Sequence, residues 1–198
     1  MAIVYELSND PFLLSQYYKI REACFRTELG LSLFDGGEDQ HDVPGQILII
    51  REGDVCLGGV RVSGCLPEEF GWLPVENPEF QLRDACSDFL LQSDGYCQWS
   101  RLAIRPECRN RVDVLHLCEK LIETALSQGY LYSFYITGSA RTRLFQKLHL
   151  KLGCKYEVLH DVSLPVEEGF ESLPHLLSVA RLDKKAIPFI QMVEEQVA

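Results

Sequence analysis

Three arginines lie in otherwise apolar surroundings: Arg21 in a helix-patterned stretch, Arg61 in Gly58-Gly59-Val60-Arg61, and Arg101 after Trp99-Ser100. A guanidinium is a planar fork suited to carboxylates. Asp39 and Asp42, three apart in a polar loop, could pair with these arginines and fix the loop, staying ionised as they do so. Alternatively, one arginine captures the carboxylate of a ligand and the aspartates hold an ammonium. Glu28, at the end of the same helical stretch, is a further carboxylate able to relay a proton. Gln98, on a strand, is an amide and cannot act as a base near neutral pH, although it can orient a water. His149, four residues before Gly153, is either a proton-moving imidazole or a helix-surface residue. Arg141, Arg143, Lys147, Lys151 and Lys155 have no acid between them, and positions 143, 147 and 151 stack on one helix face. That stripe is either a solvated face or a dock for an acidic partner.

Elements that could position these residues need a core. The chain has 198 residues and is 46% hydrophobic, which supports one compact domain over residues 1–198 and excludes a disordered chain. The net charge of −10 argues against a nucleic-acid binder. The charge is uneven, however: residues 101–155 hold ten Lys or Arg against four acids, which points to a local anionic partner. No apolar run approaches the roughly 20 residues of a membrane span. Met1 to Glu6 lack the basic and apolar regions of a signal peptide, so a cytoplasmic location is expected. The eight cysteines include no Cys-x-x-Cys pair. Reduced, mostly buried thiols and no metal site are expected.

Asp10-Pro11 opens a predicted helix over 11–29. A Gly- and Asp-rich loop covers 30–45, followed by strands at 46–51 and 55–63, with Gly58-Gly59 suggesting a bulge or a close backbone approach. Residues 64–95 form a long excursion with a helix near 82–91. Its apolar side chains, Phe70, Trp72, Leu73, Phe80, Phe89, Leu90 and Leu91, could line a greasy channel or form a satellite core. A strand at 96–104 precedes a strongly periodic helix at 113–128 with Gly129 behind it. A strand at 131–137, a helix at 139–152 capped by Ser139, strands at 154–163 and 176–182, and a helix at 187–195 complete the reading.

Strand 99–104, the arginine-bearing turn, helix 113–128, the next strand and a helix ending in Leu-x-x-Leu-Gly together resemble the GNAT acyltransferase core. The N-terminal half resembles the branch holding acyl-homoserine-lactone synthases and long-chain N-acyl amino acid synthases. Its matching residues are Arg21 with Phe25, Asp39 with Asp42, Arg61, and Ser100-Arg101, so the likeness spans roughly residues 17–160. The resemblance implies an α/β (α+β) three-layer αβα sandwich with a mixed central sheet splayed at the acyl-donor site. It places the oxyanion donor and pantetheine edge at Leu102, Ala103 and Ile104, and implies a general acid at His149.

Two departures stand out. Leu31 occupies the place of a lactone-synthase Trp, and Gln98 the place of a Glu. The phosphate loop of the GNAT pattern is reduced to Arg109-Asn110-Arg111 without glycines, which suits a donor lacking a pyrophosphate. No permanently bound cofactor is expected. The donor implied is acyl-phosphopantetheine on acyl carrier protein, or acyl-coenzyme A, with the basic stripe docking the carrier. The acceptor implied is an amino acid acylated on its amine, with tyrosine the candidate that the resemblance suggests. The alternatives are a lactone synthase using S-adenosylmethionine, an acetyl-coenzyme A N-acetyltransferase, and a non-catalytic acyl-carrier or lipid-binding module.

Overall fold

The computed structural model describes residues 2–42, 46–69, 72–89, 91, 93–167 and 169–183. Strand β1 (Val4–Leu7) is followed by helix α1 (Pro11–Glu28), β2 (Gln46–Glu52), β3 (Val55–Cys65), the short α2 (Leu82–Ala85) and β4 (Gly95–Ile104). Helix α3 (Val114–Ser127), β5 (Tyr130–Thr137), α4 (Ser139–Lys151), β6 (Lys155–Leu159) and β7 (Leu176–Arg181) complete the chain. One seven-stranded sheet runs β1-β2-β3-β4-β5-β7-β6. Only β4 and β5 are parallel among its described pairings, joined by the α3 crossover.

Strand alternation builds three layers. Leu48 and Ile50 of β2 point to a core shared with α3 and α4, and Ile47 and Ile49 point to the opposite face, under α1. Farther along that second face, Leu73, Leu82 and Leu91 pack on Tyr96 and Phe134 with essentially no exposure. The excursion is thus a satellite core. Trp72 is exposed, and Phe70 and Leu90 lie outside the described residues.

Boundaries moved in several places. β1 had been missed, being four residues long. The helix expected near 82–91 is the single turn Leu82–Ala85, and the strand expected to reach residue 163 ends at Leu159. The N-cap of α4 is Gly138, not Ser139, and no side chain caps that helix. The helix read at 187–195 lies outside the described residues. Asp10 caps α1 as its sequence suggested, accepting from the Phe12 N–H at 2.9 Å, with Pro11 in the first turn. All eight cysteines are buried, and none forms a disulfide. Among the described residues no helix is long and apolar enough to cross a membrane.

Two features of the sheet matter for the site. Pairing of β4 with β5 runs from Gly95↔Tyr130 to Gln98↔Phe134 and then stops, so residues 99–104 of β4 diverge from β5. On its other side, β4 stays paired with β3 but slips register between Gly59↔Ala103 and Arg61↔Ser100, which inserts one extra residue in β4. Gly58 permits this close approach, because a Cβ there would sit 2.4 Å from the Ala103 carbonyl oxygen.

Candidate functional site

The extra residue breaks the inside-outside alternation of β4, so Ser100 and Arg101 both face the α1 side. Arg101 has φ = 58°, the one positive value at a non-glycine residue among those described. A side chain in this region is disfavoured, so surrounding contacts must hold it there. The buried Tyr17 hydroxyl donates to the Arg101 carbonyl at 2.7 Å. The guanidinium lies over the rings of Phe25, Phe34 and Phe170, 5.0–5.7 Å from their centroids.

This bulge joins an ionic cluster that gathers five residues anticipated from sequence. Arg21 grips Asp42 in a two-pronged pair, Nη1 to Oδ1 at 3.1 Å and Nη2 to Oδ2 at 2.9 Å. Arg61 contacts Asp39 at 2.6 Å and Asp42 at 3.2 Å, and its Nε donates to the Ser100 hydroxyl at 2.9 Å. Arg101 Nε lies 3.9 Å from Asp39, and Arg101 Nη2 pairs with Glu167. Backbone groups complete the loop. Asp42 accepts from the Asp39 N–H, Asp39 accepts from the His41 N–H, and Arg21 Nε donates to the Gly36 carbonyl. The loop lies so close to α1 at Gly36 that a Cβ there would fall 2.3 Å from Glu22 Cβ.

Arg21, Arg61 and Asp42 are essentially buried, whereas the Glu167 side chain is 51% exposed. Burial alone would raise the Asp39 pKa, but the adjacent Arg61 charge and hydrogen bond outweigh it and hold the carboxyl below its usual range. Asp39 is therefore not a ready base. His41 sits within the field of Arg61, Arg101, Asp39 and Glu167, and burial, then Arg61, lower its pKa and keep it neutral. Nothing in its sequence context marked it, because the loop that carries it has no periodicity.

The remaining candidates are dispersed. Gln98 is buried at the last β4–β5 pair, and its Oε1 accepts from the Val75 N–H at 3.0 Å, which ties down the excursion. Glu76 does similar work, accepting from the Leu73 and Leu82 N–H groups and from the Tyr96 hydroxyl. Glu28 pairs with Arg109, whose Nε and Nη2 also donate to the Ile104 carbonyl, and Arg111 pairs with Glu52. Ala103 is buried under α1, and Leu102 and Ile104 pack half-buried toward α3 and α4.

His149 is fully buried between α4 and the sheet, not on the helix surface. Its Nδ1 lies 2.8 Å from the Phe145 carbonyl, which assigns the proton to Nδ1, and its Nε2 then accepts from the Tyr135 hydroxyl at 2.7 Å. Burial lowers its pKa to about 4, so at neutral pH it is not an acid. Together with Trp99 and Tyr135, the first residues past the β4–β5 pairing, it props the fork.

Arg141, Arg143, Lys147, Lys151 and Lys155 are all exposed on and just after α4, and none pairs with an acid among the described residues. At the head of α3, the Asp113 carboxylate caps the helix, accepting from the Leu115 and His116 N–H groups.

No family model matches the sequence, and no curated protein matches it. Solved structures do match over nearly the whole chain. A CoA-dependent acyl-homoserine-lactone synthase, BjaI, superposes with a TM-score of 0.58 at 19% identity, covering 88% of this chain and 78% of its own. FeeM, an N-acyl amino acid synthase from uncultured soil microbes, gives 0.56 at 9% identity, covering 91% and 90%. A GNAT-family acetyltransferase from Staphylococcus aureus gives 0.54 at 13%, covering 92% and 100%. The chain therefore has the GNAT acyltransferase fold, with the mixed, forked sheet that its sequence suggested.

Proposed function

We propose that this chain is an N-acyltransferase that moves a medium- or long-chain acyl group from acyl carrier protein to the amine of an amino acid. The observation that carries this reading is the fork. Past Gln98 and Phe134, β4 has no β5 partner, and its free edge can take the amides of a pantetheine arm. The arginine–aspartate cluster lies on one face of that same stretch. The amine nitrogen attacks the thioester carbonyl, a backbone N–H in the 102–104 segment stabilises the oxyanion, and collapse forms the amide and releases the thiol. The amine must first lose a proton, and the neutral His41 beside the cluster is the group we assign to take it.

Asp113 favours a carrier over coenzyme A. A helix N-terminus binds phosphate through its free N–H groups, but two of those in α3 are taken by an anionic side chain that repels a pyrophosphate. The unpaired basic face of α4 suits the acidic surface of a carrier.

The test incubates the purified protein with a long-chain acyl carrier protein and a mixture of amino acids, reading free thiol and N-acyl amino acid by mass spectrometry. Equal amounts of both support the reading. Carrier binding without turnover would replace it with a binding module, and turnover only with S-adenosylmethionine would replace it with a lactone synthase. A His41→Gln variant should turn over slowly and lose the acid limb of the pH profile.

A further inference from the structure

We propose that Glu167 is a built-in placeholder for the carboxylate of the acceptor, and that Arg101 is the residue that receives that carboxylate. This rests on the acceptor being an amino acid, as proposed above. Three guanidiniums, Arg21, Arg61 and Arg101, face three carboxylates, Asp39, Asp42 and Glu167. The cluster is balanced, so an incoming carboxylate enters at least cost by displacing one already there. The three differ sharply in how readily they leave. Asp42 has no exposure and serves Arg21 and Arg61 at once, so its departure strands two buried charges. Asp39 is 33% exposed, bridges Arg61 and Arg101, and accepts from the His41 backbone. Glu167 touches Arg101 alone among the cluster's arginines, and with half its side chain in water it can swing out into solvent.

Arg101 is built to wait for such an exchange. Its guanidinium is flanked by three aromatic rings, which hold it in place when its partner changes. Among the described residues its Nε has no hydrogen-bond partner, leaving a donor for a second carboxylate oxygen. Its backbone is pinned through Tyr17. Glu167 comes from the segment between β6 and β7, whose Phe170 packs against Phe25 and Phe34. When the acceptor displaces Glu167, it therefore meets the loop that flanks it.

The experiment measures ligand binding without any acyl donor, so it is independent of turnover. The probes are an equimolar mixture of the proteinogenic amino acids and the matching mixture of their amides, with thermal shift as the readout. The acids should stabilise the wild-type protein and the amides should not. Glu167→Gln removes the competitor and should bind the acids about fivefold tighter, the order expected on releasing one solvent-screened ion pair. Arg101→Gln should abolish the effect, and if that variant does not fold, Glu167→Gln alone decides. Unchanged or weaker binding in Glu167→Gln, equal binding of acids and amides, or no binding to either folded protein overturns the proposal. Turnover indifferent to the acceptor carboxylate would overturn it and leave acyl transfer standing. Carboxylate-selective binding without turnover would do the reverse.

Discussion

The Tyr17 hydroxyl of α1 reaches across 84 residues of sequence to donate to the Arg101 carbonyl at 2.7 Å. That bond ties the left-handed residue of β4 to the one helix that also carries Arg21 and Phe25. Tyr17→Phe leaves a partly buried carbonyl without its partner and should cost about 1–3 kcal/mol in urea unfolding. Turnover should fall further than stability does, because the bulge that aims Arg101 loses its anchor.

Asp42 neutralises two buried arginines. Asp42→Asn keeps an acceptor but strands charge, and the expected loss is about 3–5 kcal/mol by chemical denaturation. A loss below about 1 kcal/mol would show that the cluster is not the dry network described above.

His149 gives stability a pH dependence with a definite sign. Its folded pKa, about 4, lies below the ordinary 6.5, so the unfolded chain binds the proton more readily. The contribution is full above about pH 6.5, is lost as pH falls toward 4, and is flat below that, with a span of about 3 kcal/mol at most. Urea midpoints across this window should slope in the wild type. In His149→Phe that slope should shrink to the part that the lowered pKa of His41 supplies, while loss of the Tyr135–His149 hydrogen bond lowers stability throughout.

Asp113 closes the head of α3 with its own carboxylate. Asp113→Asn retains the cap and removes the charge. The ratio of kcat/KM for acyl-coenzyme A to that for acyl-carrier should rise about fivefold, the scale of one charge at a helix end. An unchanged ratio would exclude Asp113 as the discriminating group.

The acid-free face of α4 should behave electrostatically. Replacing Arg143, Lys147 and Lys151 by Glu should weaken carrier binding by about tenfold or more, and wild-type binding should weaken with salt. Unchanged affinity at low salt would remove the dock.

Much of the framework was readable because it follows from local periodicity. The α3 stripe and the glycines after α3 and α4 place the crossover, and the aromatic run ending in Ile136-Thr137 places β5. The cluster was half readable. Arg21, Arg61 and Arg101 declare themselves as charges in apolar company, and Asp39 and Asp42 by their spacing in the loop, but Glu167 lies 66 residues from Arg101, and nothing local connects them. The register slip at Arg101 was hidden for a different reason. Arginine has no preference for φ = 58°, and only the packing of Tyr17 and the three Phe rings imposes it. Neither sequence reading of His149, proton-moving imidazole or surface residue, includes a buried neutral ring, because a polar side chain in the last turn of a cationic helix looks solvated and its partner Tyr135 sits on another element.

The sheet separates the two chemistries. Helix α4 packs on one face of it, over β5, β7 and β6, and the arginine cluster lies on the other face, at β3 and β4. Changes made on the two sides share no direct contacts, so their effects should add. On the proposed function, donor delivery and acceptor capture can therefore be re-tuned in separate rounds of engineering, and the gains then combined in one chain.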